Sequence, residues 1–158
     1  MTCFRGLIAF MLGTSALTGF ACSCIDPGLS GHFVSAANVF EAVAIGSRIV
    51  DTGDAEDPKM REFTLLVRKV YKGCVAKKVV VRTRLSGAAC GIYLPLGGRY
   101  LVFTGAGDDG SDRSLYSSLC MGNRYYPFWR FSLRKNVRRL FQGDSIPKTS
   151  KWAKAPSW

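Results

Sequence analysis

The sequence predicts a mainly β fold, and three observations carry that prediction. Short runs of β-branched and aromatic residues recur through the middle of the chain. Gly-, Pro- and Asp-containing turn signals separate them. Helical periodicity is confined to one short segment before these runs and one after them. Five strands between two helices fit a five-stranded OB-like Greek-key barrel with flanking helices, and a β-sandwich of similar length fits nearly as well.

The first element is an address. One basic residue, Arg5, precedes an apolar core from Gly6 to Phe20 that is short for a bilayer span and ends in small residues. Residues 1–21 therefore read as a secretory signal peptide. Cleavage after Ala21, with Gly19 and Ala21 flanking Phe20, would make Cys22 the first residue of the mature chain. Two other readings share the stretch. A lipoprotein signal would acylate Cys22, but Gly19, Phe20 and Ala21 stand where such a box carries a Leu-like and small residues. Cleavage elsewhere would leave Cys22 and Cys24 as structural half-cystines.

After the turn at Asp26-Pro27-Gly28, Leu29 to Ala37 is expected to form a short helix, with Leu29, Phe33 and Ala36 or Ala37 on one side. Val39 to Val50 is rich in β-formers, and residues 51–58 are a polar hairpin loop. Arg61 to Tyr71 alternates, with Phe63, Leu65 and Val67 on one face. Lys78 to Leu85 is a third strand with a basic outer face, followed by the small-residue loop Ser86 to Gly91. Tyr100 to Thr104 is the fourth strand and Ser114 to Leu119 the fifth. In Trp129 to Phe141 the apolar positions Leu133, Val137, Leu140 and Phe141 recur at helical spacing. Arg134, Lys135, Arg138 and Arg139 crowd the other side. That amphipathic helix either lays its stripe on the barrel or lies on a membrane surface. Ser132 would cap its start and Gly143 its end. Residues 144–158 form a basic tail without periodicity.

Removing 21 of 158 residues leaves 137, enough for one domain at 22–143 with a sizeable core. The formal charge of +11 falls to +10 when Arg5 leaves, a surface that attracts polyanions such as glycosaminoglycans or serves only solubility. Nucleic acid is the partner least in keeping with a secreted protein. No second segment has membrane-spanning length, so no membrane span is expected. Cys3 belongs to the leader, and the remaining Cys22, Cys24, Cys74, Cys90 and Cys120 are odd in number. In an oxidising compartment four can form two bridges and one is left over. A single histidine, His32, argues against His-paired nucleophiles and two-His metal sites, so no enzyme is expected. A metal site at Cys22-x-Cys24 needs thiolates that a secretory pathway oxidises. Asp108 to Asp112 resembles a calcium loop without its distal Glu and reads as a solvated turn.

Several pieces, in order, resemble the tissue inhibitors of metalloproteinases and the wider netrin-like modules. They are Cys22-x-Cys24-x-x-Pro27, Phe33 with Ala36, Val39-Phe40-x-Ala42, Lys69 to Gly73, Cys90-Gly91, Gly98-x-Tyr100 to Gly105, Cys120, and Trp129-x-x-Ser132 with Leu140. The resemblance runs from Cys22 to about Gly143 and matches only the N-terminal domain of the vertebrate inhibitors. It implies an OB-like barrel with disulfides Cys22–Cys90 and Cys24–Cys120. It also departs from the family: Val34 stands where members usually carry a cysteine, and Cys74 has no counterpart there.

The resemblance implies a function as well. A catalytic zinc typically keeps one open, water-occupied position. The α-amine and carbonyl of an N-terminal Cys22 can close a five-membered ring on a protease's zinc and displace that water. Ser23 would then point at the enzyme's specificity pocket, and Ile25, Ala89 and Cys90 would complete the inhibitory ridge around Cys22 and Cys24. The expected partners are secreted zinc metalloproteinases, and the chain needs no cofactor of its own beyond the partner's zinc. The alternative is a non-inhibitory extracellular module that binds matrix polyanions through Arg134, Lys135, Arg138 and Arg139; its binding would weaken steeply with salt.

Overall fold

The computed structural model describes residues 22–53, 55, 58–105, 114–127, 129 and 131–142. The expected signal peptide at 1–21, the turn expected at Asp108–Asp112, Gly143 and the expected basic tail at 144–158 lie outside them. The described chain is a mainly β, OB-like barrel with flanking helices. Strands β1 (Asn38–Asp51), β2 (Lys59–Lys72) and β3 (Lys78–Arg84) form an antiparallel meander. Strand β4 (Arg99–Thr104) returns to the free edge of β1, and β5 (Ser114–Tyr116) runs parallel to β3. The sheet order is β5-β3-β2-β1-β4-β6, which contains the 4-1-2-3 order of a Greek key.

One long strand makes the barrel. β1 pairs with β2 from Val39 to Asp51 and with β4 only from Asn38 to Val43, so it belongs to both walls. Register shifts at Val39/Phe40, Glu41/Ala42 and Ala44/Gly46 bend it between them. The far seam is closed by side chains as much as by backbone. The Gly105 N–H donates to the Tyr116 carbonyl at 3.0 Å, and the Ser117 hydroxyl donates to the Phe103 carbonyl at 2.7 Å. Asn123 accepts from the Phe103 N–H and donates to both Ser117 Oγ and the Ser118 carbonyl.

The strand count differs from the five expected. A sixth strand, β6 (Arg124–Tyr125), extends the β4 edge, and two residues are too few to show any periodicity. The fifth strand stops at Tyr116 instead of Leu119, because the chain turns at Ser117 to close the seam and then enters a 3-10 turn at Leu119–Met121.

Alternation along β1 and β4 serves two cores. Phe40, Ala42, Ala44, Tyr100 and Val102 fill the barrel with Phe63, Leu65, Val79 and Val81. Val39, Leu101 and Phe103 face the other way, under the helices. There helix α1 (Gly28–Ser35) contributes Leu29 and Phe33, and helix α2 (Phe131–Phe141) contributes Leu133 and Val137. Because β4 is covered on both faces, its run Tyr100 to Phe103 is apolar throughout. Ser132 lies inside the first turn of α2 and so does not occupy the cap position expected for it. Among the described residues no helix is long and apolar enough to cross a membrane.

Two glutamates are buried in the outer layer. Glu62, opposite Arg48 on β1 and Arg82 on β3, accepts from both at 2.7 and 2.9 Å. Burial raises its pKa, but these two guanidinium groups more than offset that and hold the carboxyl below its usual range. Glu41 sits between the barrel and α2, 3.2 Å from Arg99 and 3.8 Å from Arg134.

Candidate functional site

The segment Cys22 to Asp26 lies against two loops that the barrel brings side by side. The first follows β3. Ser86 accepts the Ala89 N–H with its side chain, and the Cys90 N–H returns to the Gly87 carbonyl at 3.0 Å, so Gly87–Ala89 forms a 3-10 turn ending at Cys90. The second is the turn Leu119–Met121 that carries Cys120. A hydrogen bond from the Leu119 N–H to the Cys90 carbonyl, 2.8 Å, locks one loop to the other.

Disulfides join Cys22 to Cys90 and Cys24 to Cys120, each with Cα atoms 5.1 Å apart. The Cys22 sulfur lies 3.7 Å from that of Cys120 and 3.8 Å from that of Cys24, so the two bridges pack against each other. Three of these sulfurs are close enough to suggest metal ligation, but every one is spent in a disulfide and none is a thiolate. Such bridges belong to an oxidising setting and fit an extracellular protein. Cys74 is exposed and free.

Sequence reasoning missed the anchor beyond Cys24. Asp26 Oδ1 accepts the Gly28 N–H at 2.9 Å and lies 3.0 Å from His32 Nε2, while Oδ2 is 4.0 Å from Arg124 of β6. The carboxylate can only accept, so His32 Nε2 carries the hydrogen. Burial raises the Asp26 pKa, but the Gly28 and His32 hydrogen bonds and the Arg124 charge outweigh it, and the carboxyl sits below its usual range. His32 itself is buried against Phe103 and against Gly122, whose φ of 81° ends the Cys120 turn. A Cβ at position 122 would collide with the imidazole. Thus α1, β6 and the Cys120 turn all converge on Asp26. The lone histidine six residues after an Asp-Pro-Gly turn was the available signal; its partner Arg124 lies far along the chain.

Around this anchor the predicted ridge residues are brought together. Cys22, Ala89 and Cys90 are half-buried, while Ser23, Cys24 and Ile25 are exposed, Ile25 by 93%. The predicted basic face of α2 is not gathered in the same way. Arg134 turns inward to Glu41 and lies over the Tyr126 ring at 5.8 Å, which leaves Lys135 and Arg138 exposed and Arg139 half-buried.

No family model matches the chain. The chain is 30% identical over 115 residues to metalloproteinase inhibitor 2 of Cavia porcellus, a match covering 70% of this chain and 51% of that protein. The chain thus spans about half the length of the curated relative it matches, and that relative is named as an inhibitor rather than an enzyme. The similarity supports a relationship to the tissue inhibitors of metalloproteinases.

Proposed function

We propose that the chain is a secreted inhibitor of zinc metalloendopeptidases, acting through the N-terminal amine and carbonyl of a mature Cys22. The observation that carries this reading is the clamp: three consecutive residues, Cys22 to Cys24, are fastened at both ends to two interlocked loops, with Ser23 facing solvent. A segment already held in one shape gives up little conformational freedom on binding, so more of its contact energy remains as affinity. Removal of residues 1–21 frees the amine. The amine and the carbonyl oxygen of Cys22 then chelate the enzyme's zinc, and Ser23 enters the adjoining specificity pocket. The metal is the enzyme's own.

The chelating amine must be neutral, and a terminal amine has a pKa of about 7.7–8.0. Inhibition should therefore strengthen as pH rises from 6 toward 8, with the sign set by loss of the amine proton.

The test compares three proteins against a set of secreted zinc endopeptidases: the chain beginning at Cys22, the same chain with one Ala before Cys22, and the chain with an acetylated Cys22. The first should inhibit, and the other two should be weaker by about a hundredfold or more, the loss of a metal bond worth some 3 kcal/mol. Equal potency in all three, or none in any, would overturn the proposal.

A further inference from the structure

A second concave site lies on the outer side of β3, formed by residues that the clamp does not use. A cavity of about 530 Å³ opens there, within the range of small-molecule sites. Its apolar lining is Val75, Ala76, Val79, Val80 and Leu115. Its polar lining is Arg48, Lys78 and Arg82 with Glu62, and Cys74 stands at the rim. Three cations and one carboxylate line it, and the carboxylate is already engaged by Arg48 and Arg82. Arg48 keeps 72% of its side chain exposed and Lys78 is exposed, so both can meet an incoming anion while Glu62 stays held.

We propose that this cavity binds a small amphipathic anion: a carboxylate or sulfate head set between Lys78 and the two arginines, with an aliphatic body on Val75, Val80 and Leu115. Both halves of the lining are needed for that choice. A purely cationic strip would suit a sulfated polysaccharide, but half of these residues are aliphatic and would gain nothing from a hydrated sugar chain. A purely apolar ligand would make no use of the cations on the cavity wall. The concave shape and limited volume favour one small molecule over a surface polymer.

The experiment is calorimetric titration of the disulfide-bonded chain with decanoate below its micelle concentration, set beside 1-decanol and a heparin-derived oligosaccharide. The Cys74 thiol supplies an independent reading through its rate of reaction with a maleimide. Decanoate should bind one to one, about tenfold more tightly than decanol, the difference made by charge-assisted hydrogen bonds at the head. Saturating decanoate should slow maleimide labelling of Cys74 several-fold, the steric expectation for a filled cavity beside the thiol. Lys78→Glu, at an exposed site, should weaken decanoate about tenfold. Ala76→Trp, also exposed, should abolish binding by filling the cavity without changing its charge. The proposal is overturned if decanoate shows no saturable binding, if decanol binds equally well, or if neither substitution changes the affinity. Displacement of decanoate by lower concentrations of the oligosaccharide would overturn it too and would assign the cations to a polyanion.

Discussion

Cys90 has a φ of 62°, and no other non-glycine described residue lies in the left-handed region. That conformation costs on the order of 1 kcal/mol for a residue with a side chain, and here the disulfide to Cys22 and the Leu119 hydrogen bond hold it in place. Gly91 follows for a different reason. A Cβ there would meet the backbone carbonyl of Arg84 and the oxygen of Ser86, neither of which can rotate away. Gly91→Ala should therefore destabilise the chain by about 2–3 kcal/mol in denaturant unfolding and weaken inhibition, because the loop that must shift is the one bonded to Cys22. Gly87→Ala, four residues earlier, meets open space at a negative φ and should leave stability unchanged or slightly raised. Asp26 makes the residue-level prediction in pH. Its folded pKa is lowered, so its stabilising contribution is complete above the unfolded carboxyl value of about 3.9 and disappears as pH falls through the folded value. Asp26→Asn should remove that part of the acid-side decline. Amide exchange in the 22–28 segment, followed from pH 5 down to pH 2, would detect the change; identical profiles for both proteins would show that Asp26 anchors nothing.

At the level of elements, α2 illustrates why a helical wheel alone misassigns charge. The sequence distributes four basic residues round the polar side, but burial of Leu133 and Val137 brings Arg134 over Tyr126 and within reach of Glu41. Burial first, and then the neighbouring hydroxyl of Tyr126, push the Tyr71 pKa far above its usual value, so this tyrosine stays neutral beside Glu41. Arg134→Ala should cost about 1–3 kcal/mol, because Glu41 keeps only one of its two cations while remaining buried. Lys135→Ala on the exposed side should be neutral within about 0.5 kcal/mol. Equal effects of the two substitutions would mean that Arg134 is a solvated surface charge after all. The seam between β4 and β5 carries the same logic without charge. Asn123→Ala leaves the Phe103 N–H, the Ser117 hydroxyl and the Ser118 carbonyl each short of a partner. A loss of about 2–3 kcal/mol is expected in equilibrium unfolding, with faster exchange of the Phe103 amide.

Across the whole molecule, what the sequence disclosed and what it concealed divide by the range of the forces involved. The strands β1 to β4 were legible because barrel interior and helix cover impose local patterns, alternation at Phe63 and Leu65 and an unbroken apolar run at Tyr100 to Phe103. Glu41 and Glu62 look like surface positions until cross-strand register supplies Arg99, Arg48 and Arg82. The Asp26 anchor needs His32 and Arg124 at once, and β6 exists only as an edge addition to β4. The clamp depends on the same long-range closure, and this permits stability and the proposed inhibition to be separated. Cys24 and Cys120 are 96 residues apart, and a bridge of that span contributes roughly 4–5 kcal/mol on the chain-entropy model, less here because the loop overlaps that of Cys22–Cys90. None of the four bridged cysteines is among the barrel-core residues around Phe40, Phe63 and Val102, so the double variant C24S/C120S should still fold, at a lower unfolding midpoint. Its Cys22–Cys90 bridge keeps the amine in place, but Ser23 is then tethered on one side only. Inhibition should fall by at least tenfold through a faster off-rate, as the freed segment must be ordered again at each binding event. If potency survives while the midpoint drops, the second bridge serves the fold alone, and the rigidity of the ridge has to come from Asp26 and His32.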